Sequence, residues 1–154
     1  MKAIDIHVHA PAEPGTQTEE AIAQQKAMAA YFRQTDERPR TPADLAETFE
    51  KLDIVACIFQ ADSETSTGVK YTGNEWVAGI VEQFPERSIG FGSVDPNKGK
   101  AGVNQAEYEV KKLGLRGFKF SPHGQHFLPY ERKNYPLWEK IQELGVPIIT
   151  HSGH

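Results

Sequence analysis

Asp53–Ala61 reads DIVACIFQA, an apolar run with polar residues only near its ends. Nine residues are few for a helix that is apolar all round. The run fits a strand covered on both faces, as the strands of parallel sheets are. The segments on either side carry helical periodicity. Upstream, Thr41 is an N-cap, Pro42 suits the first helical position, and Leu45, Phe49 and Leu52 form one stripe. Downstream, after a loop over Asp62–Gly73, Trp76, Val77, Ile80, Val81 and Phe84 form another stripe that Pro85 ends, with Glu75 and Trp76 at its start.

The same alternation continues in both directions. Ala3–Ala10 (AIDIHVHA) alternates strictly, with Ile4, Ile6 and Val8 on one expected face and Asp5, His7 and His9 on the other. Thr16–Gln34 reads as a helix of moderate amphipathicity with Glu19 and Glu20 in its first turn. Ser88–Val94 is the third expected strand. Val103, Ala106, Val110 and Leu113 mark the next helix, with Gly114 as its left-handed cap. Leu115–Phe120 is the fourth strand, Leu137, Trp138, Ile141 and Leu144 the last helical stripe, capped by Gly145, and Val146–His151 the fifth strand.

Strands alternating with helices argue for right-handed crossovers and an α/β fold with a parallel sheet. The pattern leaves open a doubly wound sheet and a partial (β/α) barrel. A closed barrel of eight units typically takes about 250 residues, more than the 154 in this chain. No G-x-G-x-x-G follows the first strand, which removes the main support for dinucleotide binding.

Composition narrows the function. The 17 Lys and Arg stand against 21 Asp and Glu, for a formal net charge of -4. A mildly acidic chain with no basic run is a poor binder of nucleic acid or anionic membranes. No apolar run approaches the roughly 18 residues that a membrane span needs. The opening residues, with Asp5 and His7, lack the apolar core of a signal peptide. The lone Cys57 sits in an apolar run, and together these features set a cytoplasmic expectation.

His7 and His9 stand two apart at the end of the first strand. A period of two places both imidazoles on one face, roughly 7 Å apart at Cα, close enough to share a metal ion. Two polar residues at a solvated strand mouth would look the same. His151, at the end of the fifth strand, is a third imidazole at the sheet edge where parallel α/β proteins gather their sites. Three such residues converging by core packing alone would leave polar nitrogens unsatisfied.

IDIHVHA at 4–10, GLRGFKFSPHGQHFLPYE at 114–131 and YPLWEKIQELGVPIITHSG at 135–153 resemble the amidohydrolase superfamily of metal-dependent barrel enzymes. The resemblance runs end to end. It is closest to the amidohydrolase-related branch that includes aminocarboxymuconate-semialdehyde and resorcylate decarboxylases and oxalomesaconate hydratase. It implies a TIM (β/α)8 barrel of which about five strands are present, 1–154 forming a single incomplete domain truncated after the fifth strand. It also implies that His7, His9 and His151 bind a divalent metal, zinc first and manganese second. Family members continue through three more strand–helix units, which supply a further His and an Asp that binds metal and shuttles protons. The expected product is therefore an N-terminal piece of a longer enzyme, self-associating as a homo-oligomer through open strand edges.

The expected reaction is decarboxylation of, or water addition to, a small carboxylated aromatic or dienoic metabolite at one metal. Lys119 is expected on the same face of the fourth strand as Leu115 and Gly117. In binuclear superfamily members a fourth-strand Lys is carbamylated. Here a role as an ammonium that meets a substrate carboxylate or a neighbouring Asp is preferred, with His123 or His126 of the following loop, Ser121–Lys133, in support of the carboxylate. Two other readings compete. One is another H-x-H barrel hydrolase, such as a TatD-like nuclease or PHP-type phosphoesterase, which would want a Glu on the fourth strand where Arg116 and Lys119 stand. The other is a structural or interaction module with a vestigial metal site.

Overall fold

The structure, a computed structural model, describes residues 1–16, 19–31, 33 and 41–152. Its elements alternate as β1 (Ala3–His9), α1 (Glu19–Tyr31), α2 (Pro42–Leu52), β2 (Ile54–Phe59), α3 (Glu64–Thr67), α4 (Gly73–Gln83), β3 (Ser88–Gly90), α5 (Lys100–Lys111), β4 (Phe118–Phe120), α6 (Tyr135–Leu144) and β5 (Ile148–Thr150). Parts of the helix expected over Thr16–Gln34 lie outside the described residues, as does His154.

Three of the helix ends show a local cause. Thr41 Oγ1 accepts from the Asp44 amide and the Asp44 carboxylate accepts from the Thr41 amide, a complete capping box ahead of Pro42. α2 ends at Asp53, held in the left-handed region at φ 56°. α6 ends at Gly145, φ 69°, where the missing Cβ makes that conformation cheap.

The strands run parallel in the order of the chain. β1 pairs with β2, β2 with β3, and β4 with β5. A parallel bridge between Gly92 and Phe118 joins the two groups, with the Lys119 amide donating to the Gly92 carbonyl at 2.8 Å. An order of 1-2-3-4-5 has no switch point of the kind that defines a doubly wound sheet. It is the order of a barrel wall, and the five strands form an arc of one.

Three apolar clusters fix the layers. Outside the arc, Leu45 and Phe49 of α2 and Val77 and Ile80 of α4 pack on Ala56 and Ile58 of β2. Also outside, Ala106, Leu137 and Ile141 of α5 and α6 pack on Phe118 and Phe120 of β4. Inside, Cys57, Phe59 and Phe91 form a smaller cluster with Ile89 and Ile149. Phe91 lies over Gly117, where any Cβ would collide with its ring. Burial raises the pKa of the Cys57 thiol, so it is an inert packing group here.

Two expectations fail. Leu115 joins the outer cluster with Val77 and Ile80 and does not share a face with Lys119, because regular pairing begins only at Phe118. The strict alternation of β1 also breaks. Asp5 pairs with Ala56 and His9 with Phe59, residues that belong to opposite faces of β2, and the register shifts between Asp5 and Val8. A bulge at Ile6-His7 resets the phase, and the Asp5 carboxylate accepts from the His7 amide at 3.0 Å.

Candidate functional site

The bulge turns His7 to the inside of the arc, where His9 follows it. The two ring centroids lie 5.5 Å apart. His151, the residue after β5, brings its ring to 5.0 Å from that of His7. Beneath His7 and His9 lies Phe59, fully buried, with its ring edge-on to His7 at 5.2 Å and to His9 at 5.0 Å. Rings sharing one tetrahedral ion, each nitrogen about 2.0–2.1 Å from it, stand about 5 Å apart at their centroids. The two measured separations fit that requirement.

Among the described residues, no group of three His, Cys, Asp or Glu side chains forms a ready-made cage. The rings are gathered, and closing them on one ion takes side-chain rotation. Burial, then the nearby Lys119 charge, hold both His7 and His151 below the usual imidazole value, so both tend to be neutral and to keep a lone pair for a ligand.

Lys119 also faces inward. Its side chain is 2% exposed, and Nζ has no hydrogen-bond partner in the structure. It sits 5.2 Å from the centroid of the Phe59 ring, within cation–π range. Burial lowers its pKa. A buried ammonium without an anion is costly, and that cost is what lowers its pKa.

His123 and His126 lie farther out. They line a groove with His151 and Ser152, so of the gathered imidazoles only His151 is common to both places. Their loop is pinned from below by Gln125, which is fully buried. Its Oε1 accepts from the Ser121 amide at 2.8 Å, and its Nε2 donates to the carbonyls of Asp62 at 2.7 Å and Val94 at 3.0 Å. Sequence reasoning missed both Phe59 and Gln125. Phe59 was legible only as one apolar residue of a buried strand, and a Gln between two loop His residues carries no pattern of its own.

The amidohydrolase family model matches residues 4–154. The chain belongs to the amidohydrolase family. Over 97 residues, 59% of the chain, this amidohydrolase is 30% identical to a gamma-resorcylate decarboxylase from Polaromonas sp.. That match spans 30% of the relative's length. A 5-carboxyvanillate decarboxylase structure from Sphingomonas paucimobilis aligns with a TM-score of 0.68 at 17% identity, over 96% of the chain and 51% of the other. A dihydroxybenzoic acid decarboxylase from Polaromonas sp., with bound manganese and 2-nitroresorcinol, aligns with a TM-score of 0.61 at 19% identity, over 98% of the chain and 49% of the other. The amidohydrolase chain thus spans about half the length of the solved structures it matches. The fold likeness makes the five-stranded arc part of a (β/α)8 barrel. No helix among the described residues is long and apolar enough to cross a membrane.

Proposed function

We propose that this amidohydrolase carries the metal-binding half of a carboxy-lyase site for small carboxylated aromatics. His7, His9 and His151 hold one divalent ion in this reading, and Lys119 holds the substrate carboxylate. The observation that carries it is the gathering of three rings from β1 and the end of β5, at 5.0 and 5.5 Å between centroids, two of them edge-on to Phe59, whose ring also faces a buried amine without a hydrogen-bond partner. Manganese in a structural neighbour and the decarboxylase names of the relatives support the metal and the reaction. Zinc fits the three-imidazole donor set equally well.

When bound, the ion supplies Lewis-acid charge for the oxygens of the substrate. The chain's own groups do the rest. The three imidazoles fix the reacting end at the mouth of the arc, and Phe59 closes the floor against water. Lys119 pairs with the carboxylate in a place where an ammonium has no other anion, which strengthens that pairing. Loss of CO₂ breaks one C–C bond and leaves its electron pair on the ring carbon, which must take a proton. The resemblance assigns that proton to an Asp on a strand beyond the fifth, so turnover is proposed for a barrel that includes it. Water addition is the alternative chemistry at the same residues. The proposal makes residues 1–154 one incomplete barrel domain, with its open edges joined in a homo-oligomer.

The test is metal content and binding in the purified chain. One equivalent of zinc or manganese is expected, and His7→Ala should weaken it by at least about 100-fold, the upper end of what losing only a hydrogen-bond partner of a ligand costs. Equal metal content in His7→Ala and the unaltered chain would overturn the reading. With the remaining strands supplied, release of CO₂ separates decarboxylation from water addition.

A further inference from the structure

The groove that His123 and His126 share with His151 is open to solvent and spans about 720 Å³. Ligand pockets run from about 300 to 1,000 Å³, so this groove holds more than the single ring of a hydroxybenzoate. Its walls include Pro122, Leu128 and Pro129, and Leu128 leaves half of its surface exposed. Apolar walls with a few imidazole groups are the ordinary lining of a small-molecule site. Because His151 is on the wall, the groove is continuous with the place where the three rings meet.

The loop is also held in one shape. Gln125 ties it to the Asp62 and Val94 carbonyls, Ser66 Oγ donates to the Gly124 carbonyl at 2.8 Å, and Asn97 Nδ2 donates to the Gln125 carbonyl at 2.8 Å. His126 is kept at φ 52°, a left-handed conformation that side chains other than Gly rarely adopt. A strained residue on a pinned loop is preorganised, which lowers the cost of binding.

The charged groups of the groove narrow the ligand further. Lys133 Nζ lies 3.2 Å from the Glu131 carboxylate and 3.4 Å from Asn97 Oδ1. Its charge is already matched, so the groove offers an incoming molecule no spare ammonium. Glu131 is matched by the same pair, so an anionic end would gain no net attraction here.

We infer that this groove is a second subsite for the substrate, taking an apolar arm attached to the carboxylated ring and ending in a neutral hydrogen-bond acceptor that faces His123 and His126. The inference rests on the proposed function for the position of the ring, and it enlarges the substrate class from single-ring acids to aryl-extended ones.

The experiment compares two probes on the zinc-titrated chain by calorimetry: 2-hydroxybenzoate and a biaryl analogue of it carrying a terminal methoxy group. The biaryl acid should bind about ten times more tightly. Leu128→Ser, at a half-exposed position, should bring the ratio of the two affinities near one. In histidine-resolved NMR the biaryl acid should move His123 and His126, beyond the shifts that both acids cause at His7 and His151. Equal affinities, a ratio that survives Leu128→Ser, or binding of neither acid would overturn the groove. If zinc fails to bind, the metal reading falls. A biaryl preference that persists without zinc and moves His123 and His126 would still uphold the groove. If Leu128→Ser instead abolishes self-association and leaves the ratio untouched, the groove is a contact between copies, and the subsite is overturned.

Discussion

The rings of His7 and His151 stand 5.0 Å apart, tilted by 59°, although one belongs to the first strand and the other follows the last. Twist and tilt accumulate along a parallel sheet. By the fifth strand they have curled the arc far enough for its two ends to meet through side chains. The site is therefore a property of the curvature. His9 and Phe59 share it because β1 and β2 bring His9 opposite Phe59 in register.

Replacing Lys119 by Met removes a buried ammonium that has no hydrogen-bond partner, while keeping most of the side-chain volume. Apolar replacements of buried charges often stabilise by about 1–4 kcal/mol, and a gain of about 1 kcal/mol is expected here. Affinity for a hydroxybenzoate should fall at least tenfold in the same variant. Denaturant unfolding and calorimetry measure the two effects. Lower stability in Lys119→Met would show that the amine has a counter-charge after all.

Glu109 is buried on α5, and its pKa is raised from the ordinary 4.5 to about 9. Burial is the main cause. The Asp62 and Glu75 carboxylates add to it, against a hydrogen bond with Gln105 and the Lys98 charge. Asn74 Nδ2 donates to Oε1, Oε2 has no partner, and a Cβ at Gly92 would collide with Oε2. The folded state keeps this proton where the unfolded chain releases it. Stability from Glu109 is therefore complete below pH 4.5 and lost as pH rises toward about 9. Glu109→Gln should flatten that slope and raise the melting temperature at pH 8 more than at pH 5. Calorimetric scans across that range decide it, and parallel shifts at both pH values would count against the buried acid.

Gln125→Leu should loosen the β4 loop. The change leaves the Ser121 amide and the Asp62 and Val94 carbonyls without their side-chain partner. Each buried polar group left unmatched costs about 1–3 kcal/mol, so a loss of about 3 kcal/mol in total is expected. Amide exchange at 121–127 should speed up first, ahead of exchange in α5 and α6. Uniform acceleration across the chain would mean that Gln125 serves the whole core and not the loop.

Periodicity carries most of the fold. The five strands, their parallel pairing and the Thr41 cap follow from local patterns, because each element's burial and termini are written within a few residues. The strand order was not legible, since pairing partners are set by packing across the chain, and order alone separates a barrel wall from a doubly wound sheet. Strand ends were overestimated. Leu115–Gly117 read as strand because they lead directly into the apolar alternation of Phe118–Phe120, yet their backbone groups bond β3 only intermittently before Phe118. The β1 bulge was invisible for the same reason that makes it useful. An extra residue in one strand leaves a period-two sequence looking intact, while it moves His7 relative to Asp5. The spacing of His7 and His9 suggested a shared face, but only the bulge and register explain how both rings reach Phe59. The polar set of Asn74, Glu109 and Gln125 left no trace in the sequence, because each residue alone looks like a solvated surface side chain.

Gln125 has a further consequence for anyone redesigning this mouth. Loops at the end of a barrel are usually treated as interchangeable parts, each free to be lengthened or exchanged on its own. Here one carboxamide from the loop after β4 grips main-chain oxygens of the loops after β2 and β3. A graft of 121–133 from a relative would import its own side chains but not the carbonyl positions they expect. Altered specificity would then have to be selected in three loops together, and libraries confined to one of them should return mostly poorly folded clones.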